Sequence, residues 1–193
     1  MGLREEKKAR ARAAMALAAA DLFGRHGYAE VAMSQIAKAA GVSDQTLYNY
    51  FPTKESLVFD RAEQFEHTLR ARVAHRPAGE EVVPAFRRWF DEFVFGPAAE
   101  RALTRPGGMV RLVAGSEALH RALLDLAHRA AGTLAAELAD RPPARATVLA
   151  DALVAVYLRA VEELGTAPGP EAIPGIAERG HARLDVLADL DRA

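Results

Sequence analysis

Cysteine is absent from this chain of 193 residues. That excludes a disulfide framework, a Cys-ligated zinc site, an iron–sulfur cluster and a thiol nucleophile. Long apolar runs are absent too: none reaches the roughly 18–20 residues of a membrane span. The Ala-rich stretch 13–20 follows basic residues, as in a signal peptide. Glu5 and Glu6 break up that basic region, however, and Met15, Leu22 and Phe23 recur at helical spacing. The sequence therefore predicts a cytoplasmic protein with no membrane partner. Segments that alternate apolar and polar residues are missing, so no strand is expected. No glycine loop has P-loop or dinucleotide spacing.

Lysine is missing from everything beyond residue 54. The net charge of −1 hides this asymmetry. Residues 1–54 carry eight basic residues (Arg4, Lys7, Lys8, Arg10, Arg12, Arg25, Lys38, Lys54) against five acids (Glu5, Glu6, Asp21, Glu30, Asp44). The rest carries 17 arginines against 21 acids. A negatively charged partner is thus expected for the N-terminal part alone. With 50% apolar and 26% charged residues, the chain is globular and long enough for a core of its own.

Glycine and proline punctuate segments rich in Ala, Leu, Arg and Glu, the strong helix formers. Val82, Phe86, Trp89, Phe90 and Phe93 recur at three- and four-residue steps, as do Leu149, Leu153, Val156, Ala160 and Leu164. Ile173, Ile176, Gly180, Leu184 and Leu187 do the same. Each set is one apolar face of a helix. The expectation is an all-α chain of about nine helices.

Residues 33–51 carry the strongest signal. Two short helices joined by a tight turn need a small residue at their crossing, and Ala37 is small. The turn needs a residue that tolerates positive φ, and Gly41 follows four later. The second helix needs an N-cap, and Ser43 can bond the amide of Gln45 or Thr46. Ile36, Ala40, Val42 and Leu47 supply a shared small core. The second helix then exposes Asp44, Gln45, Thr46, Tyr48, Asn49 and Tyr50, which can reach base edges and phosphates in a major groove. Gln45 and Asn49 are four apart on one face, and side-chain amides pair well with adenine.

The run Ala19–Phe23, His26-Gly27-Tyr28, Ile36–Ser43 and Thr46–Leu57 resembles the TetR family of bacterial repressors. The resemblance covers roughly residues 8–60; beyond that the match is one of helical character only. It implies a homodimer with two domains per protomer. Residues 1–55 would form a three-helix, helix-turn-helix DNA-binding domain, and 56–193 a larger helical domain for ligand binding and dimerisation. Thr46, Tyr48 and Tyr50 would touch phosphates or bases, and Asp44, Gln45 and Asn49 would occupy base-reading positions. Lys54 would clamp a phosphate. Ser34 stands near the start of helix 2, where the family often has a basic residue, and Ala32 where it commonly has a capping Thr. Arg4, Lys7, Lys8, Arg10 and Arg12 form a basic arm that either reaches DNA or is a solvated end. A palindromic duplex operator is the implied partner, its half-sites about 34–36 Å apart. A helix 4 over about 53–75 would carry ligand-driven motion to the heads and release the operator.

For a small, mostly apolar ligand, the candidate lining is Phe86, Trp89, Phe93, Met109, Leu112, Val113, Leu123, His128 and Tyr157. The same aromatic residues also fit a plain core. Pro106-Gly107-Gly108 reads as a portal or a turn. Leu149, Leu153, Val156, Ile176, Gly180, Leu184 and Leu187 are the candidate dimer face, with Gly180 permitting close helix approach. No cofactor is called for. Glu117-Ala118-Leu119-His120 has the Glu-x-x-His spacing of di-iron bundles, but no second copy accompanies it, so no metal site and no enzyme are expected. Regulation by a protein, or with no effector at all, is the alternative, and a helical metalloenzyme the remote one.

Overall fold

The computed structural model describes residues 2–60, 62–96, 100, 103–104 and 107–192. Pro106 lies outside them. Ten α-helices occupy the described residues: α1 Leu3–His26, α2 Met33–Ala39, α3 Asp44–Tyr50, α4 Lys54–Val58, α5 Ala62–Ala74, α6 Val82–Val94, α7 Met109–Ala114, α8 Glu117–Ala136, α9 Pro143–Thr166 and α10 Ile173–Arg192. A 3-10 turn, Pro170–Ala172, precedes α10. None of these helices is long and apolar enough to cross a membrane.

The expected single helix over 53–75 is two helices. The chain turns at Phe59–Asp60, so α4 ends at Val58 and α5 starts at Ala62. Packing explains the break. Leu57 is buried in the first unit, where α4 packs on α1, whereas Phe65, Leu69 and Val73 turn α5 towards α6 and α8.

The expected basic arm is the first three turns of α1. Arg10 pairs with Glu6 at 2.7 Å. Arg12 is no arm residue at all. Its guanidinium meets Asp60 at 2.6 Å, donates to the Tyr50 carbonyl at 3.2 Å and lies 4.5 Å from the Phe51 ring centre.

In the larger unit α9 is the central helix, packed by α6, α7, α8 and α10. Eleven of its 24 residues are buried, each large aliphatic one stabilising the fold by about 1.5–3 kcal/mol over an exposed position. Gly180 of α10 lies against Phe90 of α6: an ideal Cβ there would stand 2.8 Å from the ring. Arg141 grips Asp191 with two bonds, at 2.7 and 3.1 Å, tying the end of α10 to the start of α9.

Glu163 joins α9 to α10 through Arg179 at 2.6 Å and Arg183 at 2.8 Å. Burial pushes its carboxyl up, but the bonds from Arg183 and Arg179 outweigh this and hold it below the usual range. A lowered carboxyl stabilises the fold above its unfolded pKa and loses that contribution as pH falls through the folded one. Glu163→Gln is therefore expected to cost about 1 kcal/mol at neutral pH, discounted for the half-exposed arginines. The cost should shrink as pH falls below the ordinary carboxylate range. Urea unfolding at neutral and at acid pH checks this; an equal cost at both would make the contact one of shape alone.

Candidate nucleic-acid interface

Helices α2 and α3 cross where Ala37 is buried beside Ile36 and Leu47. Gly41 turns the chain with φ +69°, and the Val42 amide donates to the Ala37 carbonyl at 3.0 Å. Ser43 caps α3: its hydroxyl accepts from the Thr46 amide at 3.1 Å and lies 2.8 Å from the Thr46 hydroxyl. Leu47 is the one buried residue of the seven in α3. Asp44, Gln45, Tyr48 and Asn49 are exposed, and Thr46 and Tyr50 half-buried. Tyr48 keeps 47% of its surface accessible, a large ring left in solvent on a helix of barely two turns. The Gln45 amide donates to the Asn49 amide oxygen at 3.0 Å, so the two share one outward edge.

Ser34 is exposed on the first turn of α2. The cap that Ala32 cannot provide comes from the other side. The Gln35 side chain reaches back and accepts from the Ala32 amide at 2.7 Å, which is half of a capping box. A Gln three residues after the cap position was the signal for it.

Lys54 departs from expectation. Its ammonium donates to three backbone carbonyls, of Tyr28 at 2.8 Å, Val31 at 3.1 Å and Ala29 at 3.3 Å, and lies 4.3 Å from the Tyr28 ring centre. An ammonium has three donors, and all are used inside the protein. In this geometry Lys54 is a strut between α4 and the loop after α1, and not a phosphate clamp. Beside it the Tyr28 hydroxyl donates to Glu55 at 2.7 Å. Burial first, then the carboxylate, pushes the Tyr28 hydroxyl far up. Burial would raise Glu55, but the bond from Tyr28, its backbone and Thr53 bonds and the charge of Lys54 hold it down.

The ligand candidates separate into a cluster and outliers. Trp89 stacks on Phe93 with centroids 5.2 Å apart, and meets Phe86 at 5.3 Å and Tyr157 at 5.9 Å. Phe65 of α5, which the sequence reading missed, completes the cluster at 4.7 Å from Tyr157 and 5.3 Å from Trp89. The four-residue spacing of Phe65, Leu69 and Val73 was its signal. Val113 and Leu123 are buried, and Met109 and Leu112 half-buried against the same core. His128 is exposed on α8 and does not join them. Tyr157 is buried, and burial pushes its hydroxyl far up. Trp89 donates to the Thr68 hydroxyl at 3.1 Å.

The candidate dimer residues face inwards. Leu149, Leu153, Val156, Ile176, Gly180 and Leu184 are buried within the protomer and Leu187 half-buried. Their helical periodicity is that of a core face, and Gly180 makes room for Phe90 rather than for a second copy. The opposite face of the same helices exposes Val148 at 69% and Val186 at 59%.

Glu117 is paired with Arg121 rather than with His120. Among the described residues no three His, Asp or Glu side chains are grouped to hold a metal ion.

Residues 17–60 match the family described as bacterial regulatory proteins, tetR family. The chain is 31% identical over 134 residues to the HTH-type transcriptional regulator TcmR of Streptomyces glaucescens. That alignment covers 69% of this chain and 55% of TcmR, so the chain spans about half the length of that curated relative. Among solved structures, NalD, the secondary repressor of the MexAB-OprM multidrug efflux pump in Pseudomonas aeruginosa, superposes with a TM-score of 0.59 at 20% identity. The overlap covers 90% of this chain and 96% of NalD, a likeness of fold. The Thermus thermophilus repressor FadR, in complex with lauroyl-CoA, superposes with a TM-score of 0.54 at 25% identity, covering 92% and 93%. The matched segment, from the second half of α1 through α4 and with the capped, outward-facing α3 inside it, belongs to the TetR family of bacterial regulatory proteins.

Proposed function

We propose that the chain is a cytoplasmic, homodimeric repressor whose hold on a palindromic operator is released by a small, mostly apolar effector. The observation that carries the DNA reading is α3 itself. One buried leucine anchors it, a serine fixes its start, and Asp44, Gln45, Tyr48 and Asn49 are left to a groove or to solvent. Gln45 and Asn49, joined to each other, present amides suited to adenine. Thr46, Tyr48 and Tyr50 of the same helix, and exposed Ser34 of α2, serve backbone contacts. The division between head and body lies at the turn at Phe59–Asp60.

Selection of bound duplexes from a random pool tests this reading. Recovered sequences should be two-fold symmetric, and affinity should fall steeply with salt. Gln45→Ala should cost about 1–3 kcal/mol on the selected site and relax one base position per half-site. Failure to enrich any sequence, or an unaltered preference in the variant, would remove the reading or Gln45 respectively.

For the second copy, the outward stripe of Val148, Ala155, Ala182 and Val186 replaces the inward face. Its small residues suit close helix packing, and two helices from each protomer make a four-helix bundle. The aromatic cluster around Trp89, with the phenol of Tyr157 among its rings, supports an apolar effector with one polar group. Its tight packing favours the second reading, a DNA-binding dimer regulated by a protein or by nothing. A thermal-shift screen with apolar metabolites divides the two, because a ligand at 100 times its Kd adds about 2.7 kcal/mol.

A further inference from the structure

Head and body meet at few places. A crevice of about 500 Å3 separates Tyr50, Thr53 and Phe59 from Ala122, Leu126 and Arg129 of α8. The covalent link is interrupted by the turn at Phe59–Asp60. The head is therefore not carried on one rigid helix. A second bearing exists, and it is backbone against backbone. Gly107, just before α7, lies on α1: an ideal Cβ there would stand 1.8 Å from the Ala20 carbonyl oxygen and 2.7 Å from its carbon. The first distance is far inside any real contact, so no side chain fits at residue 107 with the head where it is. The backbone there has φ +72°, which also favours glycine.

We propose that Gly107 is a positioning residue for the DNA-binding head, and that α7 sets the position of α1 through it. Only residue 108 separates Gly107 from the first residue of α7. On its other side α7 lies in backbone contact with α9. An ideal Cβ on Gly165 would stand 2.6 Å from the Val110 carbonyl oxygen and 2.9 Å from the Ala114 Cβ. Arg111 also reaches the Gly165 carbonyl at 3.4 Å. The short helix thus sits between two glycine contacts, one on the central helix of the body and one on the first helix of the head. Packed elements in such contact shift together rather than deform. Met109 and Leu112 lie on α7, so a ligand lodged against them would act on α1 across two residues. That last step rests on the effector reading; the positioning role does not.

Gly107→Ala tests it, with Gly79→Ala as the control. Gly79 has φ +83° and nothing within 4 Å of its ideal Cβ, so it carries the conformational cost without the contact. The chain has no cysteine, so Ala39→Cys in the head and Ala136→Cys in the body, both exposed, accept a spin-label pair cleanly. Labelled chain is diluted in excess unlabelled chain, so the distance is read within one protomer whether or not it pairs. Relief of the contact from 1.8 Å to an ordinary 3.4 Å requires a retreat of about 1.6 Å. The head-to-body distance should shift on that scale in Gly107→Ala and stay in place in Gly79→Ala. Gly165→Ala, which meets no φ constraint, should also shift it, and serves if Gly107→Ala does not fold. A distance unchanged in Gly107→Ala and Gly165→Ala, or moved equally in Gly79→Ala, overturns the proposal. Operator binding is measured separately on unlabelled protein. Loss of sequence-specific binding in the wild type would sink the repressor reading and leave the distance result intact.

Discussion

Trp89→Ala is expected to lower the unfolding free energy by about 3–5 kcal/mol, the range for removing a large aromatic side chain from a core. Trp89 is 2% exposed and is the residue that the other rings share. It stacks on Phe93 with planes only 13° apart, touches Phe65 edge-on, and meets Phe86 and Tyr157 at a tilt. Its truncation opens a void walled by four rings and leaves the Thr68 hydroxyl without its donor. Trp89→Phe should cost less, because most of the packing stays while the bond to Thr68 goes. Urea unfolding monitored by far-ultraviolet circular dichroism measures both. The void also bears on the effector. An apolar cavity of this kind stays dry and accepts apolar guests, so indole should recover part of the lost stability in Trp89→Ala and none in the wild type. A loss below about 1 kcal/mol would mean that the cluster is loosely packed already, outside the range for a closed core.

The second large effect belongs to Lys54. Lys54→Ala should destabilise the head by about 2–3 kcal/mol, the scale of hydrogen bonds from a charged donor. Three carbonyls, of Tyr28, Ala29 and Val31, lose one shared ammonium, and the Tyr28 ring loses the cation above it. Glu55 loses a nearby positive charge while keeping the Tyr28 bond. A strut and a phosphate clamp differ in what salt does. Removal of a phosphate contact lowers the slope of affinity against salt by about one unit. Removal of a strut leaves the slope alone and lowers stability. The geometry predicts the second outcome. A variant of wild-type stability with a shallower slope would return Lys54 to the DNA surface.

Local chemistry was legible in the sequence where short-range rules decide it. Gly41, Ser43 and the apolar set Ile36, Ala37 and Leu47 stand within a few residues of each other, and turn, cap and small core follow from such spacing. Orientation was not legible where two partners compete for one face. The periodicity of Leu149, Leu153 and Val156 says that one side of α9 is buried; it cannot say whether its own body or a second copy buries it. Enclosure by α6, α7, α8 and α10 decides for the body. Long-range polar contacts were illegible for another reason. Arg12 and Asp60 are 48 residues apart, and Lys54 and Tyr28 are 26 apart, so only the folded chain shows that these charges are already engaged. The break at Phe59–Asp60 was hidden because neither residue is a helix breaker; the turn comes from helices packing on different neighbours.

The confinement of lysine to the head has a practical consequence for assembly. Apart from the amino terminus, the primary amines of the chain are those of Lys7, Lys8, Lys38 and Lys54, and the last is held beneath three carbonyls. The body from residue 55 onward offers none. Amine-reactive cross-linkers can therefore join two chains only through their heads, and α9 and α10 of a fully dimeric sample would pass through such a treatment untouched. A single band on a denaturing gel after amine cross-linking would say nothing about pairing through the body, whereas carboxyl-directed reagents would reach Asp151, Glu178 and Asp185 on those helices.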